Sequence, residues 1–130
     1  MTRALEYPPS RSASEGTEVG TVSHNWGGMI VSQIQIPEAE IADLCRHNGI
    51  RKLALFGSVL TNRFSDSSDV DFLVEFRPRE RVGFFKLADI ESELSRLLGG
   101  RKVDLRTPLD LSRYFREEVV RDALVLYAEP

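Results

Sequence analysis

The stretch FGSVLTNRFSDSSDVDF, residues 56–72, places Gly57-Ser58 ahead of an Asp-x-Asp, Asp69 and Asp71. Side chains alternate along a strand, so residues two positions apart share a face. Asp69 and Asp71 therefore share a face, with Val70, Phe72 and Val74 on the other. Two carboxylates about 4 Å apart repel by roughly 4 kcal/mol at an effective dielectric near 20. A fold tolerates such a pair when a cation lies between the charges, or when the strand is an exposed edge that uses charge against aggregation.

Outward from this stretch the chain alternates between helical and strand patterns. Pro37, Glu38 and Glu40 predict a helix start, Ile41, Leu44 and Cys45 its buried face, and Asn48-Gly49 its end. Residues 50–56, IRKLALF, read as a strand, and a short helix is expected over 58–64. DSS makes a turn, and 69–76 is the acid-bearing strand. RPRER, residues 77–81, reads as a solvated loop. Leu87, Ile90, Leu94, Leu97 and Leu98 stand at helical spacing before the terminator Gly99-Gly100. RKVDLRT carries a third strand, with Asp104 opposite in face to Val103 and Leu105. A last helix is expected over 108–127, burying Leu111, Tyr114, Phe115, Val119 and Leu124. The predicted class is α/β, with a small three-stranded sheet and flanking helices. Alternation favours parallel units, but the short link between the first two strands leaves a mixed sheet open.

Bulk composition narrows the function classes. With 130 residues and 42% apolar content, the chain suits one domain. A formal net charge of −3 disfavours general nucleic-acid binding. The single cysteine, Cys45, excludes an internal disulfide and reads as a small core residue. It cannot form a zinc site with His24 and His47 unless carboxylates complete it. No apolar run reaches membrane-spanning length, and no secretory leader pattern opens the chain. A cytoplasmic protein is expected. Residues 1–28, rich in Ser, Gly, Pro and Glu, are expected to be a disordered or loosely attached arm before a domain over 29–130. MIVSQIQI, just after the arm, can add a strand or dock on a partner; Met29 is also a candidate start.

Three carboxylates are candidates for one site: Asp69 and Asp71 by strand parity, and Asp104, alone among apolar residues of another strand. Glu75 is the fallback third acid. Hard carboxylate oxygens are what Mg²⁺ prefers, together with water and substrate phosphates. Two such ions clamp an in-line phosphoryl displacement. In this arrangement Asp69 and Asp71 hold metal and triphosphate, while Asp104 holds the second metal and can accept the attacking hydroxyl's proton. Gly57 lets backbone approach phosphate, and Ser58 and the amides after it offer an anion site. Arg63 and Ser68 are further candidate nucleotide ligands.

With these residues in view, the chain resembles the minimal nucleotidyltransferases (MNT) of the DNA polymerase beta superfamily. Their GS-x10-D-x-D pattern with a later Asp is matched by GSVLTNRFSDSSDVD and KVDLRTP. The resemblance extends over 34–127, through GIRKLALFGS, SDVDFLVEF and LGGRKVDL; the N-terminal arm departs from it. It implies a mixed sheet carrying Asp69, Asp71 and Asp104, and Mg²⁺-dependent use of ATP. Many such proteins resemble antitoxins paired with a HEPN-type ribonuclease toxin encoded nearby. The implied activity is transfer of AMP to a tyrosine of that toxin. No arginine stands at the HEPN spacing, Arg-x4–6-His, before His24 or His47, so this chain resembles the antitoxin half. Two rival expectations are nucleotidyl transfer to a small hydroxyl compound such as an antibiotic, and a non-catalytic antitoxin that neutralises by binding alone.

Overall fold

The computed structural model describes residues 22–25 and 28–130. The expected arm, residues 1–28, lies outside the described residues except for Val22–Asn25 and Gly28, which belong to strands. Strands β1 (Val22–Asn25), β2 (Gly28–Val31) and β3 (Ile34–Ile36) form an antiparallel meander. MIVSQIQI is thus a hairpin, turning at Ser32, whose positive φ of 55° suits the primed turns that match strand twist.

The second sheet carries the site. It comprises β4 (Ile50–Phe56), β5 (Val70–Phe76), β6 (Val103–Arg106) and β7 (Leu124–Ala128), in the order β6-β5-β4-β7. β4 pairs antiparallel with β5 and β7, while β5 and β6 are parallel. This is the mixed α/β arrangement expected, with one strand more than the sequence reading supplied. Helices α1 (Glu38–His47) and α2 (Phe84–Leu97) are amphipathic and bury Ile41, Leu44, Cys45, Ile90 and Leu94. Those residues meet Leu53, Leu55, Val70, Phe72 and Val74 in the main core. Burial pushes the Cys45 thiol up to about 12, so it is an inert core residue.

The far face of the sheet has its own small core. Ala54, Leu73 and Leu111 are buried there, with Phe56, Val119 and Val120 packed against them. Here the sequence reading needs correction. The last helix, α3, spans only Arg116–Asp122, preceded by a 3-10 turn at Pro108–Asp110. Tyr114 is 92% exposed and Phe115 46%, not buried. Leu124–Ala128 is a strand because β4 offers it a free hydrogen-bonding edge. A short apolar run such as ALVLY fits period 2 and period 3.6 equally well, so only that edge decides. The helix expected over 58–64 is likewise a single 3-10 turn, Gly57–Leu60. RPRER is mostly exposed, but Arg77 ties the sheet to the C-terminus through Glu129, at 2.6 Å.

Phe72 is among the largest fully buried side chains and has sheet neighbours on both sides. Phe72→Ala is expected to lower unfolding free energy by about 3–5 kcal/mol through transfer and cavity terms. Urea denaturation followed by far-UV circular dichroism, at an unchanged m-value, checks this.

Candidate active site

β4 delivers the chain to Gly57, which adopts φ +81°. A Cβ at this position would overlap the Asp71 Oδ2 atom. Glycine is therefore required twice: by the backbone conformation and by the close carboxylate. The Gly57–Leu60 turn is anchored by buried Val59, whose carbonyl accepts a 2.8 Å hydrogen bond from Ser32 Oγ. Thr61 donates to the Ser58 carbonyl from both its amide and its hydroxyl. The Ser58 hydroxyl makes no hydrogen bond among the described residues.

The acids come from two neighbouring strands. In the parallel β5–β6 ladder Asp71 stands directly opposite Asp104. Val103 and Leu105 pack towards the main core, so Asp104 projects to the other face, as Asp71 does. Asp69 sits at the entry to β5, where the Val70 amide donates to the Lys102 carbonyl at 2.8 Å. The Asp71 carboxyl is pushed up to about 6, first by burial, then by the charges of Asp104 and Asp69; Arg106 opposes the rise. Asp69 and Asp104 thus both act on Asp71. Among the described residues no group of three or more His, Cys, Asp or Glu side chains is drawn together closely enough to hold a metal ion as it stands.

β5 lies inside the sheet, flanked by β4 and β6, so the aspartates are not an edge-strand guard. Glu75 is paired with Arg51 at 2.9 Å, near the opposite end of β5, and stands apart from the trio. Ser68 Oγ accepts from the Ser65 amide and closes the preceding turn. The Arg63 side chain is exposed and makes no ion pair or hydrogen bond among the described residues. Local pattern did not flag Arg106, whose Nε donates to Asp104 Oδ2 at 3.1 Å. Its position two residues after Asp104 on a strand, hence on the same face, is the signal that could have found it. Glu91 was missed as well: it accepts from the Leu105 amide at 2.9 Å and pins β6 to α2. Arg101 lies over the Phe64 ring at 4.8 Å and reaches Asp66 at 3.7 Å, steadying the loop before Asp69.

A sheet with adjacent acid-bearing strands and a glycine turn against one acid defines a class of nucleotide-transferring domains. Residues 39–130 match the family model described as polymerase beta, nucleotidyltransferase. The chain belongs to that family and is a nucleotidyltransferase. It is 34% identical over 76 residues to the protein adenylyltransferase MntA of Thermococcus cleftensis, covering 58% of this chain and 74% of the relative. A solved structure described as a candidate minimal nucleotidyltransferase superposes with TM-score 0.55 at 30% identity, covering 67% of this chain and 86% of that one. The fold is also that of a chain from a complex of a tri-AMPylated Shewanella oneidensis HEPN toxin with an MNT antitoxin. There the TM-score is 0.51 at 23% identity, over 71% of this chain and 70% of the other.

Two outcomes follow from this geometry. Because Asp71 has a folded pKa above its unfolded value, it favours the fold below about pH 4, and that contribution is lost as pH rises through about 6. Asp71→Asn is expected to stabilise the ligand-free protein by about 1–2 kcal/mol at pH 7.5, after allowance for solvent screening, and by little at pH 4. Thermal unfolding at the two pH values measures the difference. Gly57→Ala is expected to cost about 1 kcal/mol or more in stability and to displace the Asp71 carboxylate. Denaturation midpoints and a crystal structure of the variant read the two effects.

Proposed function

We propose that this chain is an adenylyltransferase antitoxin that transfers AMP from ATP to a tyrosine of a partner HEPN ribonuclease. The observation that carries the reading is the pairing of Asp71 with Asp104 across parallel strands, with Gly57 against Asp71. The names of the relatives support the acceptor class. Asp69, Asp71 and Asp104 fit Mg²⁺ by the chemistry of the donor set: they are hard oxygen donors, and Asp71, raised first by burial and then by the charges of Asp104 and Asp69, is a carboxyl whose ionised form a divalent cation would favour. Bound there, one or two Mg²⁺ ions would neutralise triphosphate charge and favour in-line displacement.

The chain's own residues do the rest. Gly57 and the Ser58 hydroxyl and amide receive phosphate oxygens at a turn where no Cβ intervenes. Ser68 holds the loop that presents Asp69, and Arg63 is an exposed cation for the outer phosphates. The tyrosine oxygen forms a bond to the α-phosphorus as the bond to the bridging oxygen breaks, and pyrophosphate leaves. The phenolic proton passes to Asp104, whose partner Arg106 holds it in place. None of the helices among the described residues is long and apolar enough to cross a membrane. A cytoplasmic setting fits a nucleotide substrate and a ribonuclease partner.

The test is incubation with α-labelled ATP, Mg²⁺ and the product of the adjacent gene. Label is expected on a tyrosine of that product, reduced by about 100-fold or more with Asp69→Ala/Asp71→Ala. Neutralisation by the double variant without label would establish a binding antitoxin instead. Label confined to a small hydroxyl compound would establish the other transferase reading.

A further inference from the structure

Asp104 belongs to two places at once. On one side it faces Asp71. On the other it lines a cavity of about 620 Å³ between the start of α2 and the edge strand β6. Its apolar lining is Phe84, Phe85, Leu87 and Ala88, and its charged lining is Asp104, Arg106, Glu91 and Asp110. Neither Asp69, Asp71 nor the Gly57-Ser58 turn reaches it. The phosphate-side residues and the cavity are thus separate regions joined at one carboxylate.

The walls are chemically out of place on a free surface. Phe84 is 84% exposed and Phe85 88%, consecutive residues in the first turn of α2. They contribute nothing to the main core, which α2 reaches through Ile90 and Leu94. Clustered exposed aromatics mark a contact surface, and aromatic side chains there supply anchoring area at small entropic cost. The volume suits an aromatic side chain and its flanking peptide, not a folded element.

We infer that this cleft receives the aromatic side chain bearing the acceptor hydroxyl, and that Phe84 and Phe85 select an aromatic alcohol over an aliphatic one. The inference deepens the adenylyltransferase reading and rests on it for the identity of the reaction. A ring laid along the apolar wall that Phe84, Phe85, Leu87 and Ala88 supply can make offset or edge-to-face contact with a phenylalanine while its para oxygen turns to Asp104 in the same cleft. A serine or threonine hydroxyl, on a shorter side chain, leaves the apolar walls unfilled and reaches Asp104 only by drawing its backbone into the cleft. Discrimination therefore arises from filling the walls while placing the oxygen.

The experiment uses the full chain and Phe84→Ala, Phe85→Ala and the double variant. Because both rings are exposed, folding is expected to be unaffected, and circular dichroism confirms it. First, the amide-blocked peptide Gly-Tyr-Gly is titrated to about 10 mM and followed by amide NMR. Shifts are expected at Phe84 to Ala88 and at Leu105, absent in the double variant and weaker with Gly-Ser-Gly. Second, AMP transfer to the adjacent gene's product is measured. The variants are expected to raise the acceptor KM about 10- to 100-fold while the affinity for ATP, from calorimetry with Mg²⁺, stays unchanged. Shifts elsewhere, an unchanged acceptor KM, or a loss of ATP affinity, which would give the cleft to the nucleobase, overturns the inference. Peptide shifts in the cleft with no AMP transfer to any hydroxyl would retire the adenylyltransferase reading and leave the aromatic docking site standing.

Discussion

The register between β5 and β6 is the constraint on which the site depends. Because the two strands are parallel and in phase, Asp71 and Asp104 point from the same face at neighbouring positions. Strands in a sheet lie about 4.8 Å apart, so the carboxylates cannot avoid each other without leaving the ladder. A slip of one residue would turn Asp104 into the core and Leu105 outward. The apolar neighbours of each aspartate forbid that slip: Val70 and Phe72 on one strand, Val103 and Leu105 on the other. The hydrophobic core thereby holds like charges together.

This arrangement has a thermodynamic signature. A carboxyl pushed up to about 6 by burial and by two other acids is a destabilising element near neutral pH. It persists because the rest of the sheet over-determines its position. The Val70 amide is bonded across to Lys102, just ahead of β6, the Leu105 amide is held by Glu91 of α2, and the loop before Asp69 is braced by Arg101. Such local cost is characteristic of functional sites, where stability and activity make opposed demands.

The N-terminal meander lies outside the stretch that matches the family and yet touches the site's support. Ser32, at the hairpin turn, donates to the carbonyl of Val59 inside the Gly57–Leu60 turn. Met29, Val31, Ile34 and Ile36 enter the same core as the central sheet. The meander is therefore part of the domain's packing.

The sequence alone determined the faces of the acid-bearing strand and of α2. The alternation in DVDFLVEF separated the acids from the core, the helical spacing of Ile90 and Leu94 defined α2, and Gly57 marked a position that needs unusual backbone. Those are local properties, encoded within a turn or a strand. The tertiary structure decided which strands are neighbours, and hence that Asp71 meets Asp104 and that Arg106 stands beside them. It also decided that ALVLY becomes β7 rather than the end of a helix, that Tyr114 and Phe115 turn to solvent, and that Phe84 and Phe85 open a cleft beside Asp104. Strand order, register and clefts arise from contacts between segments distant in the chain, and periodicity within a segment carries no record of its partner.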